Sequence, residues 1–188
     1  MTGNTLREYV QTHRPERLKL HLGCGGQRWQ DFLNVDLYPA VEGQEDTSRN
    51  GCIAEAWADM RNLGLDEGSV DEIFTAHTLE HFVRWEAVEM LRHWHRMLKP
   101  GGKVVLETPD LLRVILNVFH PRRSRRRLAW NMFYGNQWNR IDYETHRYVW
   151  TASELKRELL AIGYSRVEVT HRTLTHIPGR DMRVTAIK

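Results

Sequence analysis

Nowhere is the sequence apolar for long enough to cross a membrane, and its opening stretch, MTGNTLREYVQTHRPERLKL, carries charges throughout instead of the apolar core of a secretory leader. These absences predict a soluble, cytoplasmic protein with no membrane span. Cysteine is scarce: Cys24 and Cys52 are the only two. Cys24 sits inside a glycine turn, where a crosslink would clamp a loop shaped to approach a ligand, so both are read as small reduced thiols. Neither sign of charge is in large excess, since 27 Lys and Arg against 24 Asp and Glu leave +3. That balance does not call for a nucleic-acid partner, and it keeps an anionic substrate open. Repeats, low-complexity tracts and linkers are missing as well, so 188 residues at 41% hydrophobic predict one domain, 1–188, with its own core.

What is present alternates. Leu18 to Leu22, Phe32 to Asp36, Ile53 to Asp59, Val70 to Ala76 and Lys103 to Thr108 are short apolar runs bounded by turn or polar residues, the pattern of buried parallel strands. Between the fourth and fifth, Arg84 to Lys99 repeats Ala87, Val88, Leu91, Trp94 and Leu98 at helical spacing, and Pro100-Gly101-Gly102 is expected to end that helix. Thr151 to Ile162 opens with Thr151 and Glu154 at capping-box spacing and stops at Gly163. Arg166 to Thr170 and Met182 to Ile187 alternate apolar with polar around Pro178-Gly179, which favours an antiparallel pair. Together these elements predict an open, doubly wound α/β domain: a mostly parallel sheet with an antiparallel C-terminal strand.

The stretch KLHLGCGGQRWQDFLNVDLYP, Lys19 to Pro39, concentrates the chemistry. In such sheets ligands bind beyond the carboxyl ends of the strands, where Gly23, Gly25 and Gly26 let backbone turn sharply and come close to a ligand. A dinucleotide fingerprint would need a third glycine where Arg28 stands, and no helix of normal length fits before Phe32. Asp36 closes the second run, placed to accept from both hydroxyls of a ribose. Asp59 stands at the end of the third, where a carboxylate can accept from an adenine amino group. Strand-end aspartates also serve simply to turn the backbone, so each acid alone carries little.

Taken in order, LHLGCGG, NVDL, ADM, VDEIFTAHTLEHF and MLKPGGKVVLETPD resemble class I S-adenosylmethionine-dependent methyltransferases, over about Leu18 to Asp110. The chain looks most like the small bacterial and phage members, many linked to surface-polysaccharide synthesis. The resemblance implies a Rossmann-like fold and S-adenosyl-L-methionine as cofactor. It places Gly23, Cys24, Gly25 and Gly26 around the methionine moiety and Asp36, followed by Leu37, at the ribose. Asp59 and the Met60 backbone would hold adenine, and His77 would floor the site beneath sulfonium and acceptor. His21 stands where the wider class often carries an acid. The first crossover helix is nearly absent, which leaves the pocket more open or covered by Gln27 to Asp31.

The resemblance further implies methyl transfer to oxygen of a glycan or small polar acceptor, and proton removal is then the modest acid-base task. NMFYGNQWNRIDYETHRYVWT, after the fifth strand, is where specificity is expected, and His146 within it is the candidate catalytic base, the alternative being a histidine that ties the loop to backbone. His81 is read as a packing or capping residue that could also line the acceptor site. No histidine spacing makes a metal site, His93 and His95 being two apart on a helix. The dense basic run His120 to Arg127 is either a solvated helix face or a grip on phosphate or carboxylate, with Trp130, Trp138 and Trp150 near it for sugar or base stacking. Two rivals follow from that run: an RNA-directed methyltransferase, and a non-catalytic nucleic-acid-binding domain that retains the fold. Nucleic acid is not the favoured partner, and the sequence carries no signal of oligomeric state.

Overall fold

Leu20, Leu22, Val35, Ile73, Val104 and Leu106 are buried almost completely, and their burial fixes the register of the central strands. The computed structural model describes residues 5–37, 52–137, 140, 144–174 and 180–188. In it, β1 (Lys19–Leu22), β2 (Leu33–Asp36), β3 (Ala56–Trp57), β4 (Val70–Ala76), β5 (Leu98–Pro109), β6 (Arg166–Thr170) and β7 (Asp181–Ile187) form one sheet in the order β3-β2-β1-β4-β5-β7-β6. The first five strands are parallel, and β7 lies antiparallel to both β5 and β6. This is the expected doubly wound α/β sheet with its antiparallel C-terminal strand. The chain winds outward from β1 to β3 and then returns to β4, so the topological switch lies between the carboxyl ends of β1 and β4.

Among the described residues five α-helices accompany the sheet: α1 (Leu6–His13), α2 (Arg84–Met97), α3 (Leu111–Val118), α4 (Arg123–Tyr134) and α5 (Ala152–Ile162). Helix α2 buries Ala87, Val88, Met90, Leu91, Trp94 and Met97 as one face, and Trp94 Nε1 donates to the Met60 carbonyl at 2.8 Å. Helix α5 opens on Thr151, whose hydroxyl accepts from Glu154 N, and closes at Gly163 in the left-handed region. Both match their sequence signals. Helix α1, bounded by a complete Thr5–Glu8 capping box, and helix α3, capped by Asp110, go beyond the elements read from the sequence.

Two sequence expectations change. The third strand shrinks from Ile53–Asp59 to two residues, because β2 offers only Val35 and Asp36 for it to pair with; beyond them Asp59 turns away into a bridge with Asn62. Helix α2 stops at Met97, and KPGG belongs to β5: Leu98 is wholly buried opposite Val70, and Pro100 disfavours helix at the residue before it. As expected, the β1–β2 connection holds no helix, and aromatic packing takes the helix's place. Trp29 stacks on Phe74 at 4.1 Å between centroids, while Phe32 meets Trp29 edge-on at 5.7 Å. Asn34 secures the connection by accepting from Trp29 N (3.0 Å) and donating to the carbonyls of Trp29 (3.2 Å) and Phe32 (3.1 Å). Pro178-Gly179 lies outside the described residues.

Candidate functional site

Strand β1 gives way to Gly23, whose positive φ of 67° is easy only for glycine, and a Cβ there would stand 2.7 Å from Thr78 Oγ1. The turn is closed by hydrogen bonds from Gly23 N (2.9 Å) and Cys24 N (3.3 Å) to the Val35 carbonyl. Asp36 faces it from the end of β2: one carboxylate oxygen accepts from Gly25 N at 2.9 Å and the other from Leu37 N at 2.7 Å. Over Gly25 the space is open, with no heavy atom within 4 Å of where a Cβ would stand. Leu37, directly after Asp36, is 43% exposed. Cys24, Gly25 and Gly26 thus lie with Asp36 and Leu37 at one sheet edge, and Met60 reaches the same turn, its Cε 3.5 Å from the Cβ position of Gly23. Asp59 is gripped by Arg61, with contacts of 3.0, 3.0 and 2.6 Å, and the guanidinium beside it holds its pKa down despite partial burial.

His21 is buried rather than facing a ligand. It shares a 3.1 Å hydrogen bond with the Asn34 side-chain oxygen, and burial pulls its pKa down. The thiols of Cys24 and Cys52 are hydrogen-bonded to each other, and that bond, with burial, pushes Cys24 well above the usual thiol range. Two unbridged cysteines are what the sequence led one to expect.

At the end of β4 the backbone of His77 is left-handed, φ 52°, an unusual state for a side-chain-bearing residue that the surroundings must hold in place. Its amide donates to the Glu107 carbonyl at 2.8 Å, and its ring lies between two buried acids. Nδ1 meets Glu80 Oε1 at 3.0 Å and Nε2 meets Asp181 Oδ2 at 3.4 Å. Burial alone would lower the His77 pKa, but the hydrogen bonds and charges of Asp181 and Glu80 outweigh it and push it up to about 9. Glu80 is the converse: burial would raise it, yet His77 holds it at about 2. Arg180 completes the cluster with two contacts to Asp181, of 2.5 and 2.6 Å. His77, Arg180, Glu80 and Asp181 form a charge-balanced wall.

Next to that wall opens a cleft of about 700 Å³, whose lining includes His77, His81, Asn131, Glu144, His146 and Arg180. His146 Nδ1 lies 2.6 Å from the Met132 carbonyl, which can only accept. Nδ1 therefore carries the proton, and Nε2 is the lone-pair atom of the neutral ring. Burial keeps the ring neutral by lowering its pKa; Glu80 pulls the other way, and His81 and His77 add to the lowering. His81 Nδ1 likewise lies 3.2 Å from the Thr145 carbonyl, and its ring meets His146 edge-on at 4.9 Å. The chain comes close here because Gly135 lacks a side chain: a Cβ there would fall 1.8 Å from the Glu144 carbonyl oxygen.

Sequence order hid this assembly, for His81 and His146 lie far apart along the chain; besides the His81–Thr145 contact, the Glu80 carbonyl ties the two segments by accepting from Arg147 N (2.8 Å) and Tyr148 N (3.2 Å). Asp181, Arg180 and Glu80 were not among the expected site residues; Glu80 falls within the stretch VDEIFTAHTLEHF, but no local motif marks Arg180 or Asp181. One donor atom from each of Glu80, His81 and His146 lies within 4.8 Å of the others, as do those of Cys24, Asp36 and Cys52. Protein hydrogen bonds already engage both donor sets: Glu80 oxygens hold His77 and Thr108, and Asp36 holds two amides. His93 accepts from Leu63 N at 3.0 Å, and His95 packs on Tyr164, so both are structural. Trp150 is fully buried and unavailable for stacking, contrary to expectation, because it is wedged between Tyr148 and Arg84. Trp138 lies outside the described residues.

A family model described as a methyltransferase domain matches residues 7–169. None of the curated protein sequences is significantly similar to the chain. Solved structures with the same fold include a SAM-dependent methyltransferase from Archaeoglobus fulgidus, with TM-score 0.61, 17% identity, and coverage of 97% of this chain and 91% of that one. Another, from Mesorhizobium loti, gives TM-score 0.60 at 18% identity and covers 96% of each chain. A third, from Methanosarcina mazei, gives 0.58 at 15% identity, again with 96% of each chain covered.

Proposed function

The chain belongs to the methyltransferase-domain family, with S-adenosylmethionine as its expected cofactor, and we propose that, as one domain over 1–188, it methylates oxygen of a glycan or a related small polar acceptor. The observation that carries this reading is the pairing of two half-sites across the switch point. One is the glycine turn with Asp36, and the other is the polar cleft beyond β4 that holds His77 and His146. The donor set suits the cofactor: open backbone at Gly25 beside Gly23, Cys24 and Gly26 for the methionine moiety, a carboxylate at Asp36 for the ribose, and exposed Leu37 for the adenine face. Asp59 would take the adenine amino group with the Met60 backbone, sharing its carboxylate with Arg61. When bound, the cofactor supplies a methyl group already activated on a positively charged sulfur.

The chain's own tasks are then alignment and proton removal. His77, fixed by Glu80 and Asp181, keeps a positive charge and cannot accept a proton near neutral pH. His146 can, at Nε2, with the Met132 carbonyl holding the ring in the required tautomer. Asn131, Glu144 and Arg180 give the cleft the hydrogen-bonding character that a hydroxyl-rich acceptor needs. Surface-polysaccharide precursors are acceptors of this kind. Among the described residues no helix is long and apolar enough to cross a membrane.

Thermal unfolding with added S-adenosylmethionine tests the reading. At about 100 times Kd the wild type should gain roughly 5–10 °C in Tm. Asp36→Ala should lose that gain, and NAD should give none. A wild type indifferent to S-adenosylmethionine, or an Asp36→Ala variant shifted as much as wild type, would remove the turn from the site.

A further inference from the structure

We propose that the α3–α4 hairpin is a docking face for an anionic phospholipid bilayer, which seats the cleft at the lipid headgroups. Helix α3 has its amphipathicity turned outward. It buries Val114 and Asn117, while Leu112, Ile115, Leu116 and the following Phe119, at spacings of three and four, form a stripe exposed to solvent. Leu116 is 72% and Phe119 81% exposed, and the neighbouring helix α4 adds Trp130 at 51% and Tyr134 at 55%. Isolated exposed apolar residues are ordinary, but a continuous stripe on one helical hairpin marks a face that something covers.

The charge pattern says what covers it. From Leu111 to Tyr134 the chain carries Arg113, Arg122, Arg123, Arg125, Arg126 and Arg127 and not one Asp or Glu. An apolar stripe beside arginines, with Trp and Tyr at its margin, is the composition of a helix that lies in a bilayer interface. A second copy of the chain would set these arginines against their own kind. RNA would match the arginines and leave Leu112, Ile115 and Leu116 without a role. An anionic lipid surface satisfies both parts of the face. The hairpin also adjoins the cleft: Arg127, Asn131 and Met132 of α4 line it, while Trp130 and Tyr134 of the same helix point to solvent. Docking of the face does not depend on methyl transfer, but under that reading it would favour acceptors carried at a membrane surface.

Sedimentation of the full chain with vesicles decides the matter. Phosphatidylglycerol–phosphatidylcholine vesicles should bind it about a hundredfold more tightly than phosphatidylcholine alone, with the preference weakened by salt. Leu116→Ser/Phe119→Ser should cost about tenfold on the anionic vesicles, and Arg122→Gln/Arg123→Gln about thirtyfold. All four side chains are exposed, so each variant should melt with the wild type. Equal or absent binding to the two kinds of vesicle overturns the proposal. So does a wild-type dimer that the Leu116→Ser/Phe119→Ser change dissociates, or a preference for RNA over the anionic vesicles.

Discussion

Glu80→Ala should cost on the order of 3–5 kcal/mol of folding stability, read as a lowered urea midpoint. The side chain is completely buried, and its two oxygens serve His77 Nδ1 (3.0 Å) and Thr108 Oγ1 (3.1 Å). Alanine strands both partners and leaves the His77 charge leaning on Asp181 alone. Since domains of this size are stable by about 5–15 kcal/mol, the loss is a large fraction of the total. Glu80→Gln keeps the volume and some of the hydrogen bonding and should lose less. The same cluster sets a pH signature. His77 is raised in the folded state to about 9, so its contribution is complete below the unfolded value of 6.5 and is lost as pH climbs through about 9. Glu80, held at about 2, keeps its share above 4.5 and loses it only in strong acid. The alkaline decline should shrink in Glu80→Ala. A variant as stable as wild type, with an unchanged pH profile, would show that the cluster does not hold the cleft together.

His146→Ala should slow methyl transfer by about 10²–10⁴ while S-adenosylmethionine binds as before. The expectation rests on the ring's position: Nδ1 is committed to the Met132 carbonyl, and burial keeps the ring neutral, so Nε2 is ready to take a proton as the acceptor oxygen attacks. Wild-type kcat should rise with pH through a midpoint below 6.5, the direction in which the His146 pKa is moved, and then level off. A residue that only tied the loop in place would weaken acceptor binding and leave that midpoint unchanged. Turnover of His146→Ala equal to wild type at saturating acceptor would end its candidacy as the base.

How legible each part was depended on whether its signal was local. Gly23 to Gly26 and Asp36 lie within fourteen residues on consecutive strands, so the turn and its acid stood out in the sequence and meet in the structure. Helix α5 carried its own cap, period and stop. Helix α3 was missed because it buries only Val114 and Asn117 and keeps its apolar stripe outside, against the rule that periodicity points to the core. The β1–β2 connection hid its solution as well: Trp29 on Phe74 joins a residue of the connection to strand β4, far along the chain, and no short-range pattern announces it. Distance along the chain also explains the His77 cluster. Asp181 reaches His77 because β7 inserts between β5 and β6, and the sequence showed an antiparallel pair without its place in the sheet.

A crystal structure with S-adenosylhomocysteine bound tests the central claim most directly. The ribose hydroxyls should lie within hydrogen-bonding distance of the Asp36 carboxylate, the sulfur beside the Gly23–Gly26 turn, and the cleft with His146 on the sulfur's open side. A ligand lodged elsewhere, or an Asp36 carboxylate that stays on its two amides and never meets the ribose, would contradict it.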